Sequence, residues 1–272
     1  DVRVSVQTLD SEYRYEFAQW GTDPGLTTQP TAIAIDRADR VYITDEFMNN
    51  VSIFDVEGNF IKRWGRFGTE PGLFNRPSGV AIDSDQNVFV VDHLNSRIQK
   101  LTKDGEFISS FGSKGTDLGE LNYPWGIAID SEDTIWIADW RNDRIQSFTH
   151  NGEFVSAIGS SGKDDGQFDR PSGVHVDTGD NVYVADWRND RVQMFSRSGA
   201  HLATLNGDAT LSRWCQEFID VNPEQASSRE AAGLFERLHA FRGGEGERHL
   251  GCDLLELHGS GPPIDGCPRC GV

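Results

Sequence analysis

Residues 121–159 read LNYPWGIAIDSEDTIWIADWRNDRIQSFTHNGEFVSAIG, and residues 168–206 read FDRPSGVHVDTGDNVYVADWRNDRVQMFSRSGAHLATLN. The two stretches align without a gap at an offset of 47 residues. The same offset separates four prolines and four aspartates, which are Pro30, Pro77, Pro124, Pro171, Asp45, Asp92, Asp139 and Asp186. A fixed period of this length is the signature of a repeat architecture, so the chain contains four copies of one structural unit.

Each copy contains four short apolar runs. In residues 121–159 these runs are GIAID, TIWIAD, RIQSF and EFVSAIG, and turns rich in Asp, Asn and Gly separate them. Short runs enriched in β-branched and aromatic residues and bounded by turn residues predict β-strands. Four antiparallel strands in a repeat of about 40 to 50 residues make one blade of a β-propeller. The sequence therefore predicts an all-β fold built from four-stranded antiparallel blades.

The repeated motifs also carry a family resemblance. The pattern Pro-x-Gly-Ile/Val-Ala-Ile-Asp, followed by Asn-Val-Tyr-Val-Ala-Asp, Asn-x-Arg-Ile-Gln and Gly-x-Phe-x-x-x-Phe-Gly, resembles the NHL-repeat family over residues 1–206. This resemblance implies a propeller, commonly with six blades. We expect residues 1–21 to form a partial blade and residues 22–206 to form four NHL-type blades. Six blades at this period need about 282 residues, so we expect an upstream portion to be missing.

The last part of the chain departs from the repeat. Residues 207–242 resemble a helical insertion of some bacterial NHL proteins, and residues 243–272 form a Gly- and Cys-containing tail that we expect to be disordered or aberrant. The spacing of four residues in the tail approaches that of a zinc ribbon: His249, Cys252, Cys267 and Cys270. A His replaces the first Cys of a ribbon, and little β pattern lies between the two pairs. We therefore predict no metal site and no cofactor.

The net charge of the chain limits the kinds of partner that it is expected to bind. The formal net charge is −18, with 43 acidic and 25 basic residues. Residues 1–206 contain 32 acidic and 19 basic residues, a net charge of −13. An acidic body repels phosphate backbones, so nucleic acid is a disfavoured partner. No apolar run approaches the length of about 18 residues that a membrane span needs, and the sequence leaves the compartment open between cytoplasmic and exported.

The repeated aspartates have a structural interpretation. Each one ends the second strand of its copy and precedes Asn and Arg within a few residues, as Asp139 precedes Asn142 and Arg144. A catalytic carboxylate is needed once, whereas this one recurs in every copy. We therefore interpret it as the acceptor of a turn that also pairs with the Arg.

Residues that differ between the copies carry the functional prediction. They follow the second-strand Asp or flank the repeat Pro, and both kinds of loop lie at the same end of a blade. The candidate ligand-binding residues are Trp140, Trp187, Arg141, Arg188, His93, Tyr123, Trp125, Arg76 and Arg170. Trp, Tyr and Arg dominate binding hot spots. The alternative is that each Trp packs against a neighbouring loop and each Arg pairs with a nearby Asp.

An enzymatic alternative depends on the central channel. Some propellers similar to this family are lyases or hydrolases that hold a metal there on first-strand side chains. The comparable positions here are Ala34, Ala81, Ala128 and His175. A zinc centre needs three or four ligands, so we predict no catalytic residue and retain His175 only as a channel candidate.

The leading functional prediction is a propeller scaffold that binds a protein, peptide or glycan through a Trp/Arg-rich loop face. A metal-containing lyase or hydrolase is the second hypothesis, and an RNA-binding propeller is the third. Open blade edges also allow self-association.

Overall fold

The computed structural model describes residues 3–7 and 13–206. The predicted helical insertion, the Gly- and Cys-containing tail and the four candidate zinc ligands lie outside these residues. No helix in the described part of the chain is long and apolar enough to cross a membrane.

The described residues form five antiparallel sheets in chain order. A two-stranded sheet contains β1 (Val4–Gln7) and β2 (Tyr13–Phe17). Blade I contains β3 (Pro30–Ile35), β4 (Val41–Asp45), β5 (Asn50–Phe54) and β6 (Phe60–Trp64). Blade II contains β7 (Pro77–Ile82), β8 (Val88–Asp92), β9 (Arg97–Leu101) and β10 (Phe107–Phe111).

Blades III and IV repeat this arrangement. Blade III contains β11 (Ile127–Ile129), β12 (Ile135–Asp139), β13 (Arg144–Phe148) and β14 (Phe154–Ile158). Blade IV contains β15 (Pro171–Val176), β16 (Val182–Asp186), β17 (Arg191–Phe195) and β18 (His201–Asn206). In every blade the strands pair in sequence order. The prediction of four full four-stranded blades preceded by part of another is confirmed.

Apolar cores lie between adjacent blades. Strands such as β8 are buried along their whole length because both of their faces pack against a neighbouring sheet. Tyr42 and Ile53 of blade I pack with Val80 and Val88 of blade II, for example. Equivalent cores join blade II to blade III and blade III to blade IV, and the β1–β2 sheet packs on blade I. This stacking explains why the apolar runs lack the alternation of a half-exposed strand.

The repeated Asp organises the turn after the second strand of each blade. The buried carboxylate of Asp139 accepts hydrogen bonds from Asn122 N (2.7 Å), Asn142 Nδ2 (2.8 Å), Arg144 Nε (2.8 Å) and Gln146 Nε2 (3.0 Å). The same four kinds of donor surround two further carboxylates, Asp92 and Asp186. The repeated Asp is therefore structural, and it fixes the short 3-10 turn that follows it.

Side chains also join the blades at the end opposite these turns. Ser84 of blade II donates its backbone N–H to Asp133 of blade III at 2.9 Å. Ser131 of blade III donates to Asp180 of blade IV at 3.1 Å. These contacts join adjacent blades at that end.

Candidate ligand-binding face

Two kinds of loop meet at one end of the blades. The turn between the second and third strands is held against the loop between blades by backbone hydrogen bonds. Arg141 N donates to Asn122 O at 3.1 Å, and Arg188 N donates to Asp169 O at 3.1 Å. We call this end the loop face; it consists of residues 19–29, 46–49, 66–76, 93–96, 113–126, 140–143, 160–170 and 187–190. All nine candidate ligand-binding residues belong to it.

Aromatic rings form a continuous row across blades II to IV. The ring centroid of His93 lies 4.8 Å from that of Trp125, which lies 6.4 Å from Trp140. Trp140 in turn lies 6.5 Å from Trp187. Tyr123 flanks the row, with its centroid 5.4 Å from that of His93. We call these five residues the aromatic row, and spacings in this range are typical of favourable contacts between aromatic rings.

Burial decreases along the aromatic row. His93 is buried, Trp125 and Trp140 are half-buried, and Trp187 is 37% exposed. Neighbouring residues therefore cover part of the Trp140 and Trp187 rings, and the rest of each ring is exposed to solvent. Each ring of the aromatic row is held in place by contact with the next ring.

Cationic side chains lie on the aromatic row. The Arg141 guanidinium is 5.3 Å from the Tyr123 centroid and 5.2 Å from the Trp140 centroid. Arg170 approaches the same Trp140 ring to 4.6 Å, and Lys114 lies 5.0 Å from the Tyr123 ring. These are cation–π distances. Rings and cations thus form one surface.

Two of the predicted arginines have carboxylate neighbours. Arg76 pairs with Glu46, which occupies in blade I the position of His93 in blade II. Arg188 lies 3.9 Å from Asp169. Burial raises the pKa of Glu46, and the Arg76 charge opposes that rise. The alternative of arginines that pair with nearby acids therefore describes these two residues, whereas Arg141 and Arg170 stack on rings.

His93 is held as a neutral imidazole. Its Nδ1 lies 3.0 Å from the Pro124 carbonyl oxygen, which can only accept, so Nδ1 carries the proton. Burial lowers the His93 pKa to about 4, and the charges of Arg76 and Arg141 act in the same direction. The side chain is an uncharged aromatic member of the row at neutral pH.

The loop face also contains five exposed apolar side chains that were not predicted, one of which is Leu118, 63% exposed in the loop before blade III. Phe67 is 69% exposed, Trp20 68%, Phe47 64% and Leu94 36%. Phe47 and Leu94 occupy in blades I and II the position of Arg141 and Arg188, while Trp20 and Phe67 occupy the position of Lys114 and Ser161. Comparing these two register positions between the four blades of the sequence would have identified these four residues.

The channel candidate His175 lies in a different setting. Ala128 at the equivalent position of blade III packs in the core between blades III and IV. Val174 and Val176 face blade III, so alternation along β15 places His175 on the opposite face of blade IV. Among the described residues no three His, Cys, Asp or Glu side chains converge on a common metal position. A role for His175 in a channel stays a prediction.

The fold and the loop face define the chain as a β-propeller whose blades share one backbone pattern and differ at the loops. Comparison with family models finds NHL repeats at residues 121–148 and 168–195, and residues 21–110 match a family described as a 6-bladed beta-propeller. Residues 121–148 and 168–195 are therefore NHL repeats within a β-propeller, and the resemblance seen in the sequence is confirmed. None of the curated protein sequences matches the chain significantly.

Solved structures show the same fold. A virginiamycin B lyase from Staphylococcus aureus is 17% identical, with 74% of this chain and 61% of that chain covered at a TM-score of 0.55. A protein of unknown function from Bacteroides caccae is 13% identical, with 75% and 69% covered at 0.54. A gluconolactonase from Xanthomonas campestris is 16% identical, with 64% and 60% covered at 0.50. The chain spans about three fifths of the lyase and of the gluconolactonase, and at these identities the likeness shows the fold alone.

Proposed function

We propose that the chain is a scaffold that binds a protein, peptide or glycan ligand through its loop face. The observation that carries this proposal is the aromatic row, in which rings from three blades contact one another and Arg141 and Arg170 stack on the ring of Trp140.

The physical basis of the proposed binding is that the aromatic side chains lose little conformational entropy when a ligand binds to them. Trp and Tyr present large apolar areas through only two side-chain dihedral angles, and the neighbouring rings already restrict these angles. Arginines stacked on rings are oriented with hydrogen-bond donors that remain available to a ligand. A surface preorganised in this way contributes more of its buried area to affinity.

The acidic blades disfavour RNA as the ligand. Residues 1–206 have a net charge of −13, and the cations of the loop face are a small local group against that field. No observation in the described residues favours a lyase or hydrolase function over binding.

Replacement of Trp140 and Trp187 together by Ala tests the proposal. Wild-type protein and the variant are applied to a glycan array and to an array of short peptides. We expect at least about a tenfold loss of binding in the variant, since an aromatic hot spot contributes roughly 2 kcal/mol or more.

A matched control separates binding from folding. Ile108 and Val155 are exposed on the outer strands of blades II and III, and their joint replacement by Ala is expected to leave binding unchanged. Thermal unfolding followed by circular dichroism should give similar midpoints for all three proteins. A folded Trp variant that binds the same probes as wild type would contradict the proposed site.

A further inference from the structure

At two register positions of the loop face, blades I and II differ chemically from blades III and IV. In blades I and II these positions hold large exposed apolar side chains, Trp20, Phe47, Phe67 and Leu94. In blades III and IV, three of the same four positions hold cations, Lys114, Arg141 and Arg188, and the fourth holds Ser161; a further cation, Arg170, precedes the repeat Pro of blade IV. The aromatic row begins at His93, next to Leu94 in sequence, and continues past Arg141 and Arg170, which stack on its rings.

In blades II to IV a hydrogen bond joins the turn and the loop that carry these two register positions. In blade II the Asn95 side chain donates to Gly68 O at 2.9 Å, which joins the turn of Leu94 to the loop of Phe67. In blade III the Asn142 side chain donates to Gly115 O at 3.0 Å and joins the turn that carries Arg141 to the loop that carries Lys114. The same contact therefore brings together the loops of two apolar residues in blade II and the loops of two cations in blade III.

The cations of blades III and IV are available to an anionic ligand. In residues 3–7 and 13–206, the ring faces of Tyr123 and Trp140 are the neighbours of Arg141 and Arg170, and no ion pair occupies either guanidinium. Arg188 has a carboxylate only at 3.9 Å, and its side chain is 53% exposed. Guanidinium groups in this state bind carboxylates through charge-assisted hydrogen bonds.

We propose that the ligand of the loop face is a polypeptide segment in which a cluster of apolar side chains is adjacent to a cluster of carboxylates. The inference rests on the proposed function and specifies its ligand. The apolar cluster packs on Trp20, Phe47, Phe67 and Leu94, and the carboxylates pair with Arg141, Arg170 and Arg188. The aromatic row supports the backbone between the two clusters.

The dimensions and the charge agree with such a segment. Three ring-to-ring steps of 4.8, 6.4 and 6.5 Å lead from His93 to Trp187, a path that about five residues of extended chain span. A glycan has no large apolar groups for the exposed Phe and Leu side chains. A nucleic acid presents a continuous polyanion to a body of charge −13, whereas a few carboxylates interact only with the local cations.

Selection from a library of random displayed peptides tests the proposal. Wild-type protein is expected to enrich peptides that combine adjacent Leu or Phe residues with Glu or Asp residues. For a synthetic peptide of the enriched sequence, replacement of Arg141 and Arg170 by Gln should weaken binding at least about tenfold and reduce its salt dependence. Replacement of Phe47 and Phe67 by Ser should also weaken binding but leave the salt dependence intact.

Matched controls use exposed residues away from the loop face. Arg37→Gln lies in the β3–β4 turn at the opposite end of blade I, and Ile108→Ser lies on an outer strand; both should bind as wild type does. Circular dichroism melting identifies any variant that has lost its fold.

Four outcomes would overturn the proposal. These are enrichment of basic or uncharged peptides, no peptide enrichment, a salt dependence that persists in the Arg141→Gln/Arg170→Gln variant, and binding to phosphatidylcholine–phosphatidylserine vesicles that depends on Phe47 and Phe67. Glycan binding that is lost in the Trp140→Ala/Trp187→Ala variant would overturn this inference and leave the proposed function standing. Peptide binding that is unchanged in the Trp variant would overturn the proposed function itself.

Discussion

At the scale of single residues, the position after the repeated Asp varies while its backbone does not. Ser96, Asp143 and Asp190 close the three 3-10 turns with φ between 50° and 52°. The buried Asp determines this geometry, so the residue that follows it is free to be His93, Trp140 or Trp187. The residues that hold the turn and the variable residues of the loop face are thereby separate, although they lie within a few positions of each other in the sequence.

His93 gives a pH-dependent prediction. Burial lowers its pKa from 6.5 in the unfolded chain to about 4 in the folded protein. Between these two pH values the unfolded state binds a proton that the folded state does not. The stability that neutral His93 contributes to the folded protein is therefore fully present above pH 6.5 and is lost as the pH falls towards 4. This linkage lowers the free energy of unfolding by about 3 kcal/mol over that range.

The variant His93→Gln isolates this contribution because Gln retains an N–H donor for the Pro124 carbonyl. Denaturant unfolding at pH 7 and pH 4 should show a loss of stability about 3 kcal/mol smaller in the variant than in wild type. His150 is exposed, and His150→Gln should keep the wild-type pH dependence. An unchanged loss in His93→Gln would show that other groups determine the acid sensitivity.

At the scale of strands and loops, blade I holds the loop before its first strand with an arginine from a different strand than the other blades use. Asn50 stands where blades II to IV have Arg, so Asp45 lacks that partner. Arg63 on β6 instead binds the loop that precedes blade I. Its guanidinium donates to Thr22 O at 3.0 Å, Asp23 O at 3.1 Å and Leu26 O at 2.6 Å. In blade III, Arg144 donates to three carbonyl oxygens at the same register, those of Thr116, Asp117 and Glu120. The loop requires a guanidinium, and two strands can supply it.

Arg63→Ala should lower the free energy of unfolding by roughly 1.5–3 kcal/mol, because three carbonyl groups lose a charged donor. In that background Asn50→Arg should restore part of the loss, since it recreates the Asp–Arg pair of the other blades. Chemical denaturation measures both effects. Arg66 is exposed, and Arg66→Ala should leave stability unchanged. The absence of any rescue would mean that the two arginines are not equivalent.

At the scale of the whole molecule, the last strand of each of the four described blades lies at the edge of its sheet. Each of these strands exposes an aliphatic side chain at the same register, and the four residues are Ile61, Ile108, Val155 and Leu202. Exposed apolar edges favour association between sheets. The net charge of −18 opposes it through repulsion between molecules.

Self-association should therefore increase with salt, because added ions screen this repulsion within about 10 Å at 0.1 M and over shorter distances above that. Light scattering of the purified protein should report a mass that rises with ionic strength. Joint replacement of Ile108 and Val155 by Lys should suppress the rise. A monomer at every salt concentration, or association that ignores both substitutions, would exclude the edge strands as the contact.

The candidate site could be predicted only in part. The 47-residue register placed Trp140 and Trp187 on the same end of adjacent blades without any coordinates. It also placed Trp125 and His93 at that end, but it did not predict that His93 contacts Trp125 and that Trp125 contacts Trp140, since these contacts depend on how the turn of one blade packs on the loop before the next. It also missed Phe47 and Phe67, which become a patch only when a turn and a loop are held together.

The sequence by itself determined the number of repeats, the four strands of each blade and the end of the molecule to which each loop belongs. These properties follow from the period of the chain and from the chemistry of turns, both of which act over a few residues. The tertiary structure alone decided which side chains touch: that Arg63 substitutes for an absent Arg, and that Arg170 stacks on Trp140. Such contacts depend on the angle at which one blade packs on the next, and the packing of buried cores sets that angle.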